Sequence, residues 1–305
     1  VLDHTYKISG THELPDNFTL SAKQDAGFEV TDAAGEKNNS AFLILGHRNT
    51  LRNITITYLN TPLPGPTGEE HGKTFTRKLG ITASGKRDLL FENCRLVGSI
   101  NQHVNLTDKC ARPRFIGCHV VGGHWAFNIS VEDAVFRRCV FEKCQGYGIK
   151  TQWAKRVLIE QCVFQDNGRV AVDTTGGYDN SVVRNTIFRR NRGSGVDIMS
   201  LYNSEADMES PENHGILIEH CQFIDQRNGI VITTNDPHGY LTPDNALAYA
   251  PHDIDIKDCV FGRTDDVSED NTVKYPTKMG EKMRMLHLKG GHAIRYHNAR
   301  FFGED

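Results

Sequence analysis

The chain has no apolar run approaching 18 residues, so the sequence offers no membrane-crossing helix. It has no excess of positive charge. Its 35 Lys and Arg stand against 38 Asp and Glu, a net charge of −3 with a pI near 6.6, whereas a general nucleic-acid binder wants a basic surface. The bias of a disordered or collagen-like chain is absent as well: 38% of the 305 residues are hydrophobic and 24% charged. No secretory signal opens the sequence, and numbering from Val1 leaves room for a removed leader. Helical periodicity is missing. Apolar residues instead alternate at period two in short runs, as in Val157-Leu158-Ile159 followed by Cys162-x-Phe164.

One motif recurs. FENCRL (91–96), FIGCHV (115–120), FRRCVF (136–141), IEQCVF (159–164), VRNTIF (183–188), IEHCQF (218–223) and IKDCVF (256–261) place Cys or Thr at 94, 118, 139, 162, 186, 221 and 259. The steps are 24, 21, 23, 24, 35 and 38 residues. A unit of this length with three short strands cannot bury its own apolar face, but stacked units can. The pattern predicts an all-β fold, a right-handed, single-stranded parallel β-helix with rungs about 4.8 Å apart. Leucine-rich repeats are excluded because their LxxLxLxxN pattern is missing, and a propeller blade needs roughly twice the period. Six of the eight Cys then share one inward position with Thr186, a stacked thiol ladder rather than a disulfide set. Cys110 and Cys144 stand outside it. One β-helix domain over 1–305 is expected, with irregular coils at 1–44, regular coils at about 45–262, and a polar loop followed by a last coil or cap over 263–305.

Three long inserts interrupt the coils: 60–76, 201–214 and 235–253. The two later ones leave the same strand on successive rungs, so they are expected to rise side by side and, with the first, to wall a cleft. Taking Ile81, Leu106, Ile129, Ile149, Val172, Val196 and Ile230 as inward residues, the outward column of the sheet beneath reads Thr82, Thr107, Ser130, Lys150, Asp173, Asp197 and Val231. A second outward column, two residues earlier, reads Gly80, Asn105, Asn128, Gly148, Ala171, Gly195 and Gly229, a mostly bare strip on which a ligand would lie. Asp173 and Asp197 stand one rung apart, where like charges raise one pKa unless a cation intervenes. Lys150 is one such cation. Calcium is another, with Asp173 and Asp197 as its candidate ligands. The preceding turns carry Arg169, Arg192 and Arg227, candidate clamps for carboxylate or sulfate, with Arg189 and Arg190 close behind. His124 and Trp125 lie on the approach to the sheet. Tyr202, His238 and Tyr240 lie in the two later walls, where their rings would suit a sugar or a proton transfer.

These features resemble the group of right-handed β-helix carbohydrate-active enzymes: pectate and alginate lyases, chondroitinase-like lyases, uronate epimerases and polygalacturonase-type hydrolases. The resemblance covers about residues 45–262 and is to the group as a whole. Asp236-Pro237-His238 is similar to the Asp-Pro-His motif of mannuronan C5-epimerases, while the Gly-His-Gly and Arg-Ile-Lys segments of polygalacturonases are absent. The resemblance implies a substrate lying along the sheet that carries Lys150, Asp173 and Asp197, and a secreted or periplasmic protein.

The leading expectation is β-elimination on a uronate-containing, anionic polysaccharide. Lys150 would be the base, Arg169 and Arg192 would hold the carboxylate, Tyr202 or His238 would be the acid, and Asp173 and Asp197 would orient Lys150 or bind calcium. Asn105, Asn128, His124, Trp125, Arg227 and Tyr240 complete the binding set. The first alternative is a glycoside hydrolase acting through Asp173 and Asp197, whose one-rung spacing suits retention. An epimerase and a non-catalytic glycan-binding β-helix are the further alternatives. No cofactor other than calcium, no nucleic acid and no membrane partner is expected, and oligomeric state is left open.

Overall fold

The repeat folds as a coil of three strands. In the coil that carries Lys150 these are Ile149–Lys155, Leu158–Glu160 and Val163–Gln165. The chain turns from each to the next through residues in the left-handed region, with φ of 52° at Arg156, 54° at Gln161 and 57° at Asp166. Single left-handed residues allow a corner to be tight, which explains the Asn, Asp and Gly that punctuate the sequence. The computed structural model describes residues 1–23, 26–31, 38–59, 77–98, 100–175, 177–201, 213–235, 250–262 and 284–302.

Equivalent strands pair in parallel from coil to coil. They form two sheets of 11 strands and one of 10, and no helix occurs among the described residues. The protein is a right-handed parallel β-helix. Residues 284–302 form one more coil, its strands Arg284–Lys289, His292–His297 and Arg300–Phe302 pairing in parallel with the coil before.

Inside, the coil is held by ladders. Phe141, Phe164, Phe188, Phe223 and Phe261 stack with centroids 4.7, 5.2, 4.8 and 4.9 Å apart and planes within 10° of parallel. Phe91, Phe115 and Phe136 form a second stack at 4.6 and 4.7 Å. Stacked rings at rung spacing bury large apolar area and fix the register of successive coils. All eight Cys are free and buried. Those of the ladder donate to carbonyls of the preceding coil, Cys139 to Phe115 O at 3.3 Å and Cys118 to Phe91 O at 3.5 Å. Thr186 keeps the place with a hydroxyl that receives the Cys162 N–H. A buried amide ladder accompanies it. The Nδ2 groups of Asn167 and Asn191 donate to Phe141 O (3.2 Å) and Phe164 O (3.0 Å), which fixes the turns that lead into the sheet bearing Lys150.

Candidate active site

That sheet contains the strands Gln102–Ala111, Trp125–Glu132, Ile149–Lys155, Val172–Asp173 and Ser194–Leu201. Its pairing puts Thr82, Asn105, Asn128, Lys150, Asp173, Asp197 and Val231 in one column. Lys150, Asp173 and Asp197 are therefore vertical neighbours on consecutive rungs. The upstream part of the column differs from the expectation. Asn105 and Asn128, not Thr107 and Ser130, lie in register with Lys150, because Val104 and Phe127 rather than Leu106 and Ile129 pair with Ile81 and Ile149. All four upstream candidates are buried apolar residues, so period-two alternation leaves a two-residue ambiguity. The pairing slips afterwards, between Leu106 and Cys110 and between Ile129 and Ser130.

The bare strip is also corrected. A Cβ on Gly148 would run into the Phe164 ring, and one on Gly195 into the Phe223 ring; Ala171 is fully buried. Gly148 and Ala171 lie in the bend into the strand and Gly195 at its second residue, and all three face inward and form no ledge for a ligand.

Asp173 is buried. Its Oδ1 accepts the Thr175 N–H at 3.1 Å and the Thr175 hydroxyl, and its Oδ2 lies 3.9 Å from Lys150 Nζ. The strand breaks directly after Asp173: the Gly177 N–H closes back onto Thr174 O at 3.2 Å, and this turn brings Thr175 onto the carboxylate. Burial pushes the Asp173 pKa up, with Lys150 and then Thr175 opposing. Asp197 has no such relief. Burial, then the Asp173 charge, pushes its carboxyl up to about 7, and its Oδ1 has no hydrogen-bond partner among the described residues. Burial raises both carboxyls, but only Asp173 has a cation and a hydroxyl on its oxygens, and such unequal surroundings are one way to separate an acid from a base or nucleophile.

Lys150 is enclosed by aromatic faces, with Nζ 5.1 Å from the ring centroids of both Trp125 and Tyr147. Tyr147 is a site residue the sequence reading missed. Burial, then the Asp173 charge, raises its phenol pKa, while a hydrogen bond from Arg169 opposes the shift. Its signal was the spacing Tyr147-x-x-Lys150 immediately upstream of a column already in view. His124 accompanies Trp125 with ring centroids 5.3 Å apart, and its Nδ1 lies 3.1 Å from Asn101 Oδ1. Asn128 Nδ2 donates to Asn105 Oδ1 at 3.0 Å. Asn128 Oδ1 and Trp125 Nε1 are buried without partners among the described residues.

The structure thus gathers Asn105, Asn128, His124, Trp125 and Arg169 around Lys150, Asp173 and Asp197. Arg192 and Arg227 occupy the following turns, half-buried and exposed respectively. The Gly193 N–H bonds to Arg169 O, the one-residue offset of a parallel ladder, so Arg192 lies beside Arg169 on the next rung. Arg189 and Arg190 turn elsewhere, to Gln165 and Asp166. Tyr202, His238 and Tyr240, and most of the three inserts, lie outside the described residues.

The calcium expectation meets a poor donor set. Among the described residues no group of three or more His, Cys, Asp or Glu gathers where a metal ion would sit, and an ammonium already faces Asp173. Calcium takes six to eight oxygen ligands. Two carboxylates beside a lysine do not supply that shell, and no chemical step is assigned to the ion.

A parallel β-helix with a paired-carboxyl site on one outer face is the class defined by this geometry. The family described as "Right handed beta helix region" matches residues 80–247, more than half of the chain, and the chain belongs to it. No curated protein sequence matches. Among solved structures the chain is similar to PfbA, a surface adhesin of Streptococcus pneumoniae (10% identity, TM-score 0.58, 99% of this chain and 83% of that one). It is also similar to the A-module of the mannuronan C-5 epimerase AlgE4 of Azotobacter vinelandii (11%, 0.54, 98% and 85%). A third is the GH136 lacto-N-biosidase of Eubacterium ramulus (10%, 0.51, 98% and 60%), of whose length the chain spans less than two thirds. At these identities the likeness is one of fold.

Proposed function

We propose that the protein is a glycoside hydrolase that cleaves a glycan laid across the Lys150–Asp173–Asp197 column. The observation that carries this is the pairing of Asp173 and Asp197 on adjacent rungs with unequal surroundings. Asp197, pushed up to about 7, keeps a proton near neutral pH and donates it to the leaving glycosidic oxygen. Asp173, with Thr175 and Lys150 on its oxygens, is the carboxylate that attacks the anomeric carbon. Strands one rung apart, about 4.8 Å, suit carboxyl groups at nucleophilic range and hence retention of configuration. Trp125 and Tyr147 offer ring faces to the sugar beside that pair. A glycan polymer is met outside the cell or in the periplasm.

The second reading is β-elimination on a uronate, favoured by Lys150, Arg169 and the Tyr147 phenol gathering at one place. It ranks lower because elimination asks Lys150 to act as a free amine, whereas its contacts, a carboxylate and two ring faces, are those of a cation. Incubation with neutral, uronate and sulfated oligosaccharides separates the two. Hydrolysis gives new reducing ends of retained anomeric configuration by NMR. Appearance of an unsaturated uronate chromophore, abolished by Lys150→Ala, would replace the hydrolase reading with elimination.

A further inference from the structure

Three residues along its strand from Lys150, the same sheet carries a second feature unlike the rest of the coil. Asp108 and Lys109 are consecutive residues with φ of 54° and 56°, the one place among the described residues where two adjacent non-glycine residues are left-handed. They form the bulge at which the pairing of Gln102–Ala111 slips. Bulges re-aim a side chain out of the regular alternation. Here Asp108 turns back to the Ser84 hydroxyl, and the Lys109 N–H is fixed on Ser130 Oγ at 3.2 Å. Ser130 stands opposite Trp153 in the ladder, and its small side chain lets Lys109 reach past it. Lys109 Nζ ends 4.6 Å from the Trp153 ring centroid, with Lys155 Nζ at 5.5 Å. Lys155 has a carboxylate partner, Asp179, at 3.8 Å. Lys109 is exposed and makes no ion pair among the described residues.

We infer that Trp153, Lys109 and Lys155 form an anionic-sugar subsite, in which a pyranose ring stacks on the indole and its carboxylate or sulfate is held by the lysines. A half-buried ring face takes the apolar side of a sugar, and an ammonium already beside that ring takes its acidic substituent. The bulge is there to deliver the charge: a regular strand would have left it off the ring. Trp153 stands about 10 Å along the strand from Lys150, within one or two sugar units of the carboxyl pair. The subsite thus selects the acidic residue of the glycan whose bond is cut at Asp173 and Asp197. It rests on the proposed function for its biological substrate, but its test does not depend on turnover.

The chain has two Trp, so Trp125→Phe leaves Trp153 as the sole indole reporter. In that background, with Asp197→Asn added to prevent cleavage, trigalacturonate, a sulfated carrageenan trisaccharide and neutral xylotriose are titrated by fluorescence. The acidic probes are expected to shift Trp153 emission and bind more tightly than xylotriose, with the preference shrinking in high salt. Lys109→Ala weakens the acidic probes about fivefold, the scale of one exposed charge contact, Lys109→Glu weakens them further, and neither changes xylotriose. The relative affinities of the first two probes tell carboxylate from sulfate. Equal affinity for acidic and neutral probes, binding without an emission change, or indifference to Lys109→Glu would overturn the subsite. Were no glycan ever cleaved while the Lys109-dependent titration persisted, the hydrolase reading would fall and the subsite would stand.

Discussion

The outer faces of the other two sheets and the outer face of the Lys150 sheet are built from similar charged residues, yet they treat charge in opposite ways. On the sheet of Leu158–Glu160, Glu160 is held between Arg137 at 2.7 Å and Arg184 at 2.6 Å, one rung to either side, and Arg295 holds Asp255 at 2.6 Å. On the sheet of Val163–Gln165, Glu142 takes His119 at 2.9 Å and also accepts from Gln165. On these faces each carboxylate has a cationic or amide partner on a neighbouring rung, as a solvated ladder should. The Lys150 column places two carboxyls next to each other, Asp173 buried and Asp197 half-buried, and leaves a buried oxygen of Asp197 without a partner among the described residues. Elsewhere the coil neutralises its rungs, and in this column it stores an unfavourable charge.

The largest effect that sharpens this contrast is on turnover. Asp197→Asn and Asp173→Asn should each reduce hydrolysis by about a thousandfold or more if, as proposed, each acts directly on the reacting bond. Retention of full rate by either variant, with folding verified by circular dichroism, would remove the pair from the mechanism.

The next effect is on stability and has opposite signs in the two regions. Asp197 titrates near 7 when folded, against an ordinary 3.8, so the fold binds that proton more tightly than the unfolded chain does. Its contribution is neutral below about pH 4, and stability is lost as pH rises toward 7 and stays lost above it. Asp197→Asn should therefore stabilise the protein at pH 8 by roughly 2–4 kcal/mol and change little at pH 4 in urea titrations. Glu160 works the other way. Burial raises its pKa, but Arg184 and Arg137 outweigh it and the net shift is downward, so its stabilisation is present at neutral pH and lost on acidification. Glu160→Gln should cost about 1 kcal/mol at pH 7, vanish as a difference at low pH, and leave turnover unchanged. A flat pH response for the Asp197 variant would mean that the two faces do not differ as described. The smallest effect concerns metal: a chelator should leave the rate unaltered, and loss of activity restored by calcium would show that residues outside the described set complete a shell around Asp173 and Asp197.

The coil was legible because repetition amplifies a weak signal. FENCRL alone says little, but seven copies with Cys or Thr in one place leave few architectures. The column of Lys150, Asp173 and Asp197 was legible for the same reason, each residue following an apolar neighbour that pairs with the next rung. Its upstream end was not, because Val104 and Leu106, like Phe127 and Ile129, are both buried, and period two does not distinguish them. Tyr147 was missed because it sits on the turn into the strand, where alternation has not begun. The bulge at Asp108 and Lys109 left no compositional mark: neither residue is a glycine, and the slip shows only in the pairing.

The thiol column carries a practical consequence. Its six sulfurs, which solvent reaches only when neighbouring turns separate, make the molecule its own unfolding clock. Under native conditions the colour released by a disulfide reagent would time the parting of turns from Cys94 to Cys259, with no dye or label added. A sequence of labelling along that column would reveal from which end the solenoid unwinds.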